Sequence, residues 1–318
     1  MTVEFGLALE NFTPERKLPD MDAVSAYSIT AEELGFTSVW AWDHLFLGAR
    51  RPFPFLESLT TLAMVAARTS RIRLGTGVLV LPLREPAVLA KTTATIQLAS
   101  GGRLMLGVAA GWYEREFDAT AVPFKRRGQV FERNLDVLYR LWETDDLTGE
   151  WDGRVFTHVR MLPLPRPRPQ LLIGGYVDRV LRRVATRSDG WVTYFYTAKS
   201  IASALGRIRG YAEDAGRDPD QLNVVAQVPL CIGSSFEEAS SLAWQYVDDY
   251  FDVPAWSEAT RESTVRGTPE QCAEQIVGYL DAGVKELVFC PYNYEAEQVH
   301  RLATEVLPLL GKIRAGAA

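Results

Sequence analysis

The stretch RIRLGTGVLVLPLREPAVLAKTTATIQLASGGRLMLGVA, residues 71–109, contains the unit from which we predict the whole fold. An apolar run over 72–80 is followed by apolar residues at helical spacing over 86–99, and then by a second apolar run over 104–109. A strand, a helix and a second strand in this order form a parallel βαβ unit.

The same alternation extends in both directions along the chain. Strand-like runs occupy 3–9, 37–42, 72–80, 104–109, 170–174, 190–195, 222–232 and 286–290. Helical spacing occurs over 21–34, 56–69, 86–99, 128–142, 178–187, 199–215, 236–248, 269–282 and 295–310. Eight strand-helix repeats favour a closed (β/α)8 TIM barrel over an open doubly wound sheet, which usually has fewer strands. A dinucleotide fingerprint, G-x-G-x-x-G, is also absent after the first run.

Two segments interrupt the alternation and are interpreted as insertions within one domain, 1–318. They cover about 143–169 and about 249–267. Four prolines between 163 and 169 favour an extended, solvated path. This segment is either a surface connection or a lid over the mouth of the barrel.

Composition excludes several classes of function. A net charge of -6 with mixed signs offers no basic surface for nucleic acid. The first twenty residues lack a signal-peptide pattern and no apolar run is long enough for a membrane span, so we expect a cytoplasmic protein. Three cysteines and three histidines without metal-ligand spacing predict reduced core thiols and no metal site.

In a (β/α)8 barrel, reacting groups come from the carboxyl ends of the strands. The second run ends at Asp43-His44. A carboxylate beside an imidazole can orient it for proton transfer, which suggests that both are catalytic. The alternative is a capping aspartate and a packed histidine.

Glycines mark two further strand ends. Gly75 and Gly77 lie in an apolar strand, where glycine admits either a flat ring or a crowded barrel interior. Gly174-Gly175 exposes N–H groups that can cradle phosphate, or forms an ordinary tight turn. Arg115 could reach a phosphate or carboxylate, or be solvated.

Other sequence features narrow the chemistry. No nucleophile elbow or Walker loop is present, which argues against hydrolase and phosphotransferase functions. Aromatic residues cluster at strand ends, where they suit a planar heterocycle or simple core packing. They are Trp40, Trp42, Trp112, Trp191, Tyr194, Phe195 and Tyr196.

Four blocks, in order, resemble the bacterial luciferase-like superfamily of flavin- and deazaflavin-dependent oxidoreductases. The most specific is RIRLGTGVLVLPLREPAVLAKTTATIQLASGGRLMLGVAAGWYEREFDATAVPFKRRG, residues 71–128. The others are AEELGFTSVWAWDHL at 31–45, LLIGG with SDGWV at 171–175 and 188–192, and GTPEQCAEQIVGYLDAGVKELV at 267–288. The resemblance covers nearly the whole chain.

The resemblance implies a homodimeric barrel with reduced flavin mononucleotide (FMN) or coenzyme F420, a deazaflavin, lying across its C-terminal rim. It implies that Asp43 and His44 contact the cofactor and that Gly77-Val78 forms a non-prolyl cis peptide behind the ring. Positions matching contacts to the ring, ribityl chain or phosphate are Ala110, Gly111, Trp112, Arg115, Gly174 and Gly175. Trp112 stands where some deazaflavin sugar-phosphate dehydrogenases have a catalytic glutamate, which argues against a sugar-phosphate substrate.

The leading hypothesis is F420-dependent hydride transfer to or from a small organic substrate, with His44, oriented by Asp43, moving the proton. The alternative is an FMNH2-dependent monooxygenase supplied by a flavin reductase. A third possibility, from another class, is a flavin-binding barrel without turnover. Rim loops, including 45–55, are expected to select the substrate.

Overall fold

A computed structural model describes residues 3–13, 18–48, 53–151, 153–250 and 254–316. The strands are β1 Glu4–Ala8, β2 Ser38–Ala41, β3 Arg73–Thr76, β4 Leu79–Val80, β5 Leu104–Ala109, β6 Leu147–Trp151, β7 Arg154–Val159, β8 Gln170–Gly174, β9 Gly190–Tyr194, β10 Asn223–Ile232, β11 Val265–Gly267 and β12 Glu286–Pro291.

The helices alternate with these strands. They are α1 Met21–Glu33, α2 Ser58–Arg68, α3 Pro86–Ala99, α4 Glu114–Ala119, α5 Arg127–Glu143, α6 Asp178–Arg187, α7 Ala198–Asp214, α8 Phe236–Tyr250, α9 Pro254–Ser263, α10 Pro269–Asp281, α11 Ala296–Arg301 and α12 Leu307–Gly316. A π-helical turn, Leu302–Val306, joins the last two. Within the described chain, no helix has both the length and the apolar character that a bilayer span requires.

Eight parallel strands close into a barrel. Their order is β10, β12, β1, β2, β3, β5, β8 and β9, and the pairing of β9 with β10 completes the ring. β4 continues β3 and pairs with β5, whereas β11 extends the sheet outside the ring beside β10. The predicted (β/α)8 barrel and all eight predicted strand positions are confirmed.

The predicted insertion at 143–169 lies against the outer helices of the barrel. It contains an antiparallel hairpin, β6-β7, that the sequence did not predict. Arg140 of α5 lies 4.6 Å from the Trp151 ring, so the hairpin packs on the outer helices. The second insertion, 249–267, contributes α9 and β11, while its residues 251–253 lie outside the described chain.

Crowding inside the barrel explains the two glycines of the third strand. A Cβ on Gly75 would lie 2.3 Å from the Trp40 ring, and one on Gly77 would lie 2.0 Å from Nε2 of Gln227. Both neighbours are almost fully buried. Side chains therefore fill the barrel below Gly77, and these glycines are needed whether or not a ring lies above them.

A charged cluster fills the opposite, N-terminal end of the barrel. The buried Glu286 carboxylate lies 3.1 Å from Nη2 of Arg73, which also pairs with Glu4. Ser38 donates a hydrogen bond to the same carboxylate. Burial raises the pKa of Glu286, although the Arg73 charge and the Ser38 hydroxyl oppose the shift. A polar plug thus occupies the end distant from the rim.

Glu32 joins α1 to the start of the third strand. One oxygen of its carboxylate accepts hydrogen bonds from backbone N–H groups of Ser70, Arg71 and Ile72, at 3.0, 2.6 and 2.8 Å. Partial burial raises the pKa of Glu32, but the backbone hydrogen bonds outweigh it and the net shift is downward. The ionised carboxylate therefore stabilises the folded state.

Glu32→Gln is expected to lower the free energy of unfolding by about 1 kcal/mol at pH 7. Because the folded-state pKa is lowered, this contribution is present above the unfolded pKa and disappears as pH falls through the folded value. Urea unfolding of both proteins at pH 7, 5 and 3.5 measures the difference. Glu33→Gln, at the exposed neighbouring position, is the matched control. A cost for Glu32→Gln that does not change with pH would contradict this role.

Candidate active site

A cavity of about 530 Å³ opens at the carboxyl ends of the barrel strands. Its lining includes every predicted site residue except Arg115: Asp43, His44, Gly77, Val78, Ala110, Gly111, Trp112, Gly174 and Gly175. The Gly77-Val78 peptide bond is cis, as the resemblance implies. Of the rim loop 45–55, Leu47, Gly48, Phe53 and Phe55 also line the cavity, whereas residues 49–52 lie outside the described chain.

Asp43 does not orient His44, which corrects the sequence prediction. Its carboxylate lies 2.6 Å from Nη2 of Arg84 and accepts hydrogen bonds from the Val80 N–H at 2.8 Å and the Ser58 hydroxyl at 2.9 Å. The side chain is almost fully buried. These contacts direct the carboxylate toward the neighbouring loops, so Asp43 has a structural role at the cavity wall.

Glu116 orients His44 instead. Its Oε2 lies 3.0 Å from Nδ1 of His44, and its Oε1 accepts the backbone N–H groups of Leu45 and Phe46 at 2.6 and 3.2 Å. The Glu116 side chain is only 1% exposed. The carboxylate therefore fixes both the imidazole and the chain that follows it, and Nε2 is the ring nitrogen left for a molecule in the cavity.

The position of Glu116 also explains why the prediction for Arg115 is wrong. Both residues lie in the short helix α4, where consecutive side chains point in different directions. Glu116 and Phe117 are buried, whereas Arg115 is exposed and does not line the cavity. The solvated alternative is therefore correct for Arg115.

Aromatic side chains surround His44. The rings of Phe55 and Trp112 meet the imidazole edge-on, with centroids 5.5 and 5.7 Å away. Phe12 stacks on Phe55 at 4.7 Å and meets Trp42 at 5.9 Å. This half of the cavity is apolar and suits a flat or hydrophobic molecule.

Three arginines, Arg127, Arg179 and Arg183, also line the cavity. Nε of Arg127 donates to the carbonyl oxygen of Gly111 at 3.1 Å, and Arg183 pairs with Glu132. Helix α6 begins at Asp178, three residues after Gly175, and has no side-chain hydrogen bond at its N-cap. Cationic side chains and a helix N-terminus together favour an anion such as phosphate. The phosphate interpretation of Gly174-Gly175 is consistent with this geometry.

The lining as a whole fits a phosphorylated ring cofactor. Apolar walls and the imidazole would enclose the ring, and the three arginines would hold its phosphate. A cavity of this volume is typical of small-molecule sites. Among the described residues, no group of His, Cys, Asp or Glu could hold a metal ion.

Comparison with known proteins identifies the family. The family model described as luciferase-like monooxygenase matches residues 3–286. The chain belongs to this family. Its barrel and rim cavity are therefore those of a luciferase-like protein.

Curated relatives of this luciferase-like protein include enzymes with two different cofactors. An FMNH2-dependent dimethylsulfone monooxygenase from Pseudomonas fluorescens is 25% identical over 95% of this chain and 88% of its own. An F420-dependent glucose-6-phosphate dehydrogenase from Amycolatopsis mediterranei is 27% identical over 89% of this chain and 93% of its own. The match to an uncharacterized protein of Mycobacterium tuberculosis, 29% identical, covers 54% of this chain and only 60% of that protein.

Solved structures with the same fold include a monooxygenase and an F420-dependent dehydrogenase. A monooxygenase from Streptomyces bottropensis superposes with a TM-score of 0.82 and 23% identity, over 96% of this chain and 99% of its own. An F420-dependent secondary alcohol dehydrogenase superposes with a TM-score of 0.81 and 17% identity, over 98% and 99%. At these identities the likeness shows the shared fold.

Asp43→Ala is expected to lower the free energy of unfolding by about 3 kcal/mol, since it leaves the largely buried Arg84 guanidinium without its main partner. Glu85→Ala, which breaks the more exposed ion pair with Arg154, is the control and should cost about 1 kcal/mol or less. Chemical denaturation of the three proteins measures both. Equal costs would contradict the structural role of Asp43.

Proposed function

We propose that this luciferase-like protein is an oxidoreductase that uses coenzyme F420 to exchange a hydride with a small organic substrate. His44 is the proton donor or acceptor and Glu116 is its positioning residue. The proposal rests mainly on one observation, the hydrogen bond between the buried Glu116 carboxylate and Nδ1 of a histidine that lines the cavity.

A carboxylate-imidazole pair is suited to proton transfer beside an electron-transfer site. The Glu116 carboxylate fixes the ring orientation, so that Nε2 can give a proton to a molecule in the cavity or accept one from it. When bound, reduced F420 supplies the hydride. For a carbonyl substrate, His44 would give its proton to the oxygen as the carbon becomes reduced, which yields an alcohol.

The wall of the cavity indicates which molecules His44 can meet. Trp112 is 37% exposed, and its ring lies against the imidazole at the mouth of the cavity. A neutral, partly apolar substrate would bury this indole, whereas the lining arginines suit the cofactor phosphate. We therefore infer that the substrate lies beside Trp112.

The wider setting follows from the same proposal. We infer that the protein acts in the cytoplasm and that it forms a homodimer, the latter because the family resemblance implies it. An FMNH2-dependent monooxygenase, as in the Pseudomonas fluorescens relative, is the alternative, and it would require a flavin reductase as a partner. A protein that only binds a flavin, without turnover, would not need the hydrogen-bonded His44-Glu116 pair.

Binding and turnover with each cofactor distinguish these functions. Purified protein is titrated anaerobically with reduced F420 and with reduced FMN, and each complex is then mixed with a panel of ketones and aldehydes. We expect tighter binding of F420 and anaerobic oxidation of the cofactor that depends on substrate. Tight binding of FMN alone, with substrate-dependent oxygen consumption, would favour the monooxygenase. Binding without any turnover over a broad panel would favour the carrier.

His44→Ala is expected to lower kcat roughly 10²–10⁴-fold, because it removes the proton donor. The dissociation constant of the cofactor should change by less than about threefold, since the arginines that hold its phosphate remain. Added imidazole should restore part of the rate. His300→Ala, on an exposed surface of α11, is the control. Full activity of His44→Ala would remove His44 from the mechanism.

Glu116→Gln tests positioning separately from binding. The amide oxygen can still accept the Leu45 and Phe46 N–H groups, so the loop is kept while the negative charge beside Nδ1 is lost. We expect kcat to fall on the order of 10²-fold with little change in KM. Cofactor binding as in the wild type, with this loss of kcat, supports the role. A rise in KM alone would indicate that Glu116 only shapes the cavity.

A further inference from the structure

Tyr113 lines the cavity beside His44, and the fold does not account for its hydroxyl group. Its ring meets the imidazole edge-on, with the two centroids 6.5 Å apart. The side chain is half-buried, and within the described chain its hydroxyl makes no hydrogen bond. By contrast, the hydroxyl of Tyr176, which also lines the cavity, donates to the carbonyl oxygen of Tyr194. A phenylalanine would pack equally well at position 113, so the hydroxyl needs another explanation.

The Tyr113 hydroxyl is also accessible. Several buried side-chain atoms lack a hydrogen-bond partner in the described chain, but none of them belongs to Tyr113. Because this hydroxyl has no partner and is not one of those buried atoms, it keeps surface that a molecule in the cavity can contact. A phenolic hydroxyl is both a donor and an acceptor, and here its donor is available to a ligand oxygen.

One short segment carries both Tyr113 and the residue that orients His44. Tyr113 is the N-cap of α4, and its carbonyl oxygen accepts the backbone N–H of Glu116 at 3.2 Å. The indole of Trp112 packs against the phenol ring, with centroids 5.4 Å apart. The same turn therefore directs the Glu116 carboxylate to Nδ1 of His44 and holds the phenol ring beside the imidazole.

We propose that Tyr113 is a further catalytic residue, whose hydroxyl donates a hydrogen bond to the substrate carbonyl oxygen that His44 protonates. This role rests on the proposed function. A carbonyl oxygen has two lone pairs, so it can accept from the hydroxyl and from Nε2 of His44 together. Fixed donors at an oxygen that gains negative charge stabilise the transition state.

The proton of Tyr113 is not consumed in this step. The carbonyl carbon gains the hydride with its two electrons from the reduced cofactor, the π electrons move to the oxygen, and the oxygen takes the proton of Nε2. His44 regains a proton from water, into which oxidation of the cofactor releases one. The Tyr113 hydroxyl stays protonated throughout and acts as a hydrogen-bond donor only.

The arrangement also narrows the class of substrate. A ketone or aldehyde presents the lone pairs that the two donors require, whereas a carbon-carbon double bond or an iminium ion has none to offer. The body of the molecule would lie against the rings of Phe55 and Trp112, which meet the imidazole from other sides. We therefore expect neutral ketones and aldehydes with an apolar body.

Isotope-edited infrared spectroscopy tests the hydrogen bond without turnover. Acetophenone labelled with ¹³C at its carbonyl is bound to the wild type and to Tyr113→Phe, with and without oxidised F420, which has no hydride to give. A hydrogen bond lowers the stretching frequency of a carbonyl group, so the band in the wild type should lie below that in Tyr113→Phe. Tyr139→Phe is the matched control and should give the wild-type band, since its hydroxyl donates to the Arg187 carbonyl oxygen outside the cavity.

Steady-state rates with acetophenone and reduced F420 give a second test. Tyr113→Phe should lower kcat roughly 10²-fold, because one of the two donors to the developing charge is lost. KM should rise less than about fivefold, since a neutral hydrogen bond contributes little to binding of the ground state. Tyr139→Phe should keep the wild-type kcat. Tyr113→Phe should also keep the wild-type Tm, because its hydroxyl has no partner within the described chain.

The two measurements separate the role of Tyr113 from the proposed function. A band that depends on Tyr113, without any oxidation of F420, would contradict F420 dependence but support the hydrogen bond. Turnover of F420 with the same band and the same kcat in Tyr113→Phe would keep the function and overturn the role of Tyr113. A lower kcat with an unchanged band would overturn it as well, since Tyr113 would then act without contacting the carbonyl oxygen. Failure of acetophenone to bind the wild type would have the same consequence.

Discussion

The buried Asp43 carboxylate holds the rim of this barrel together. Its oxygens accept from Ser58 at the start of α2, from Val80 at the end of β4, and from Arg84 just before α3. Parallel strands are paired along their length, but the loops beyond their carboxyl ends have no ladder to position them. The ion pair between Asp43 and Arg84, together with the two neutral hydrogen bonds, positions these loops.

The barrel could be predicted from the sequence because its cause is local and repeated. Each strand, such as 104–109, is a short apolar run, and each helix, such as 86–99, has apolar residues at a 3.6-residue spacing. The hairpin at 147–159 was missed because its register contains a shift between Leu147 and Gly149, and its strands are largely exposed. Such strands carry little alternation of apolar and polar residues to detect.

The location of the candidate site could be predicted from the sequence, but the contacts among its residues could not. Strand ends marked residues that line the rim cavity, because in this fold those ends converge. The sequence did not indicate that Glu116, rather than Asp43, orients His44. Glu116 is 72 residues from His44. It also follows Glu114 and Arg115 in a charged stretch that is typical of a solvent-exposed helix. Only the approach of the two loops in space shows which carboxylate is buried beside the imidazole. Arg127, Arg179 and Arg183 were missed for the same reason, because helix positions give no signal of facing a cavity.

The barrel interior below Gly77 is filled, which affects the order in which two molecules could enter and leave the large cavity. Gln227 and Trp40 occupy the space behind the cis peptide, and the Glu286-Arg73 plug closes the far end. In the described structure the large cavity is therefore closed below Gly77, and both reactants of the proposed reaction would lie above that level. A flat ring seated against Val78 would have to enter first, with the second reactant above it. The second reactant would have to leave before the ring. An excess of the second reactant would therefore slow the release of the ring from the cavity.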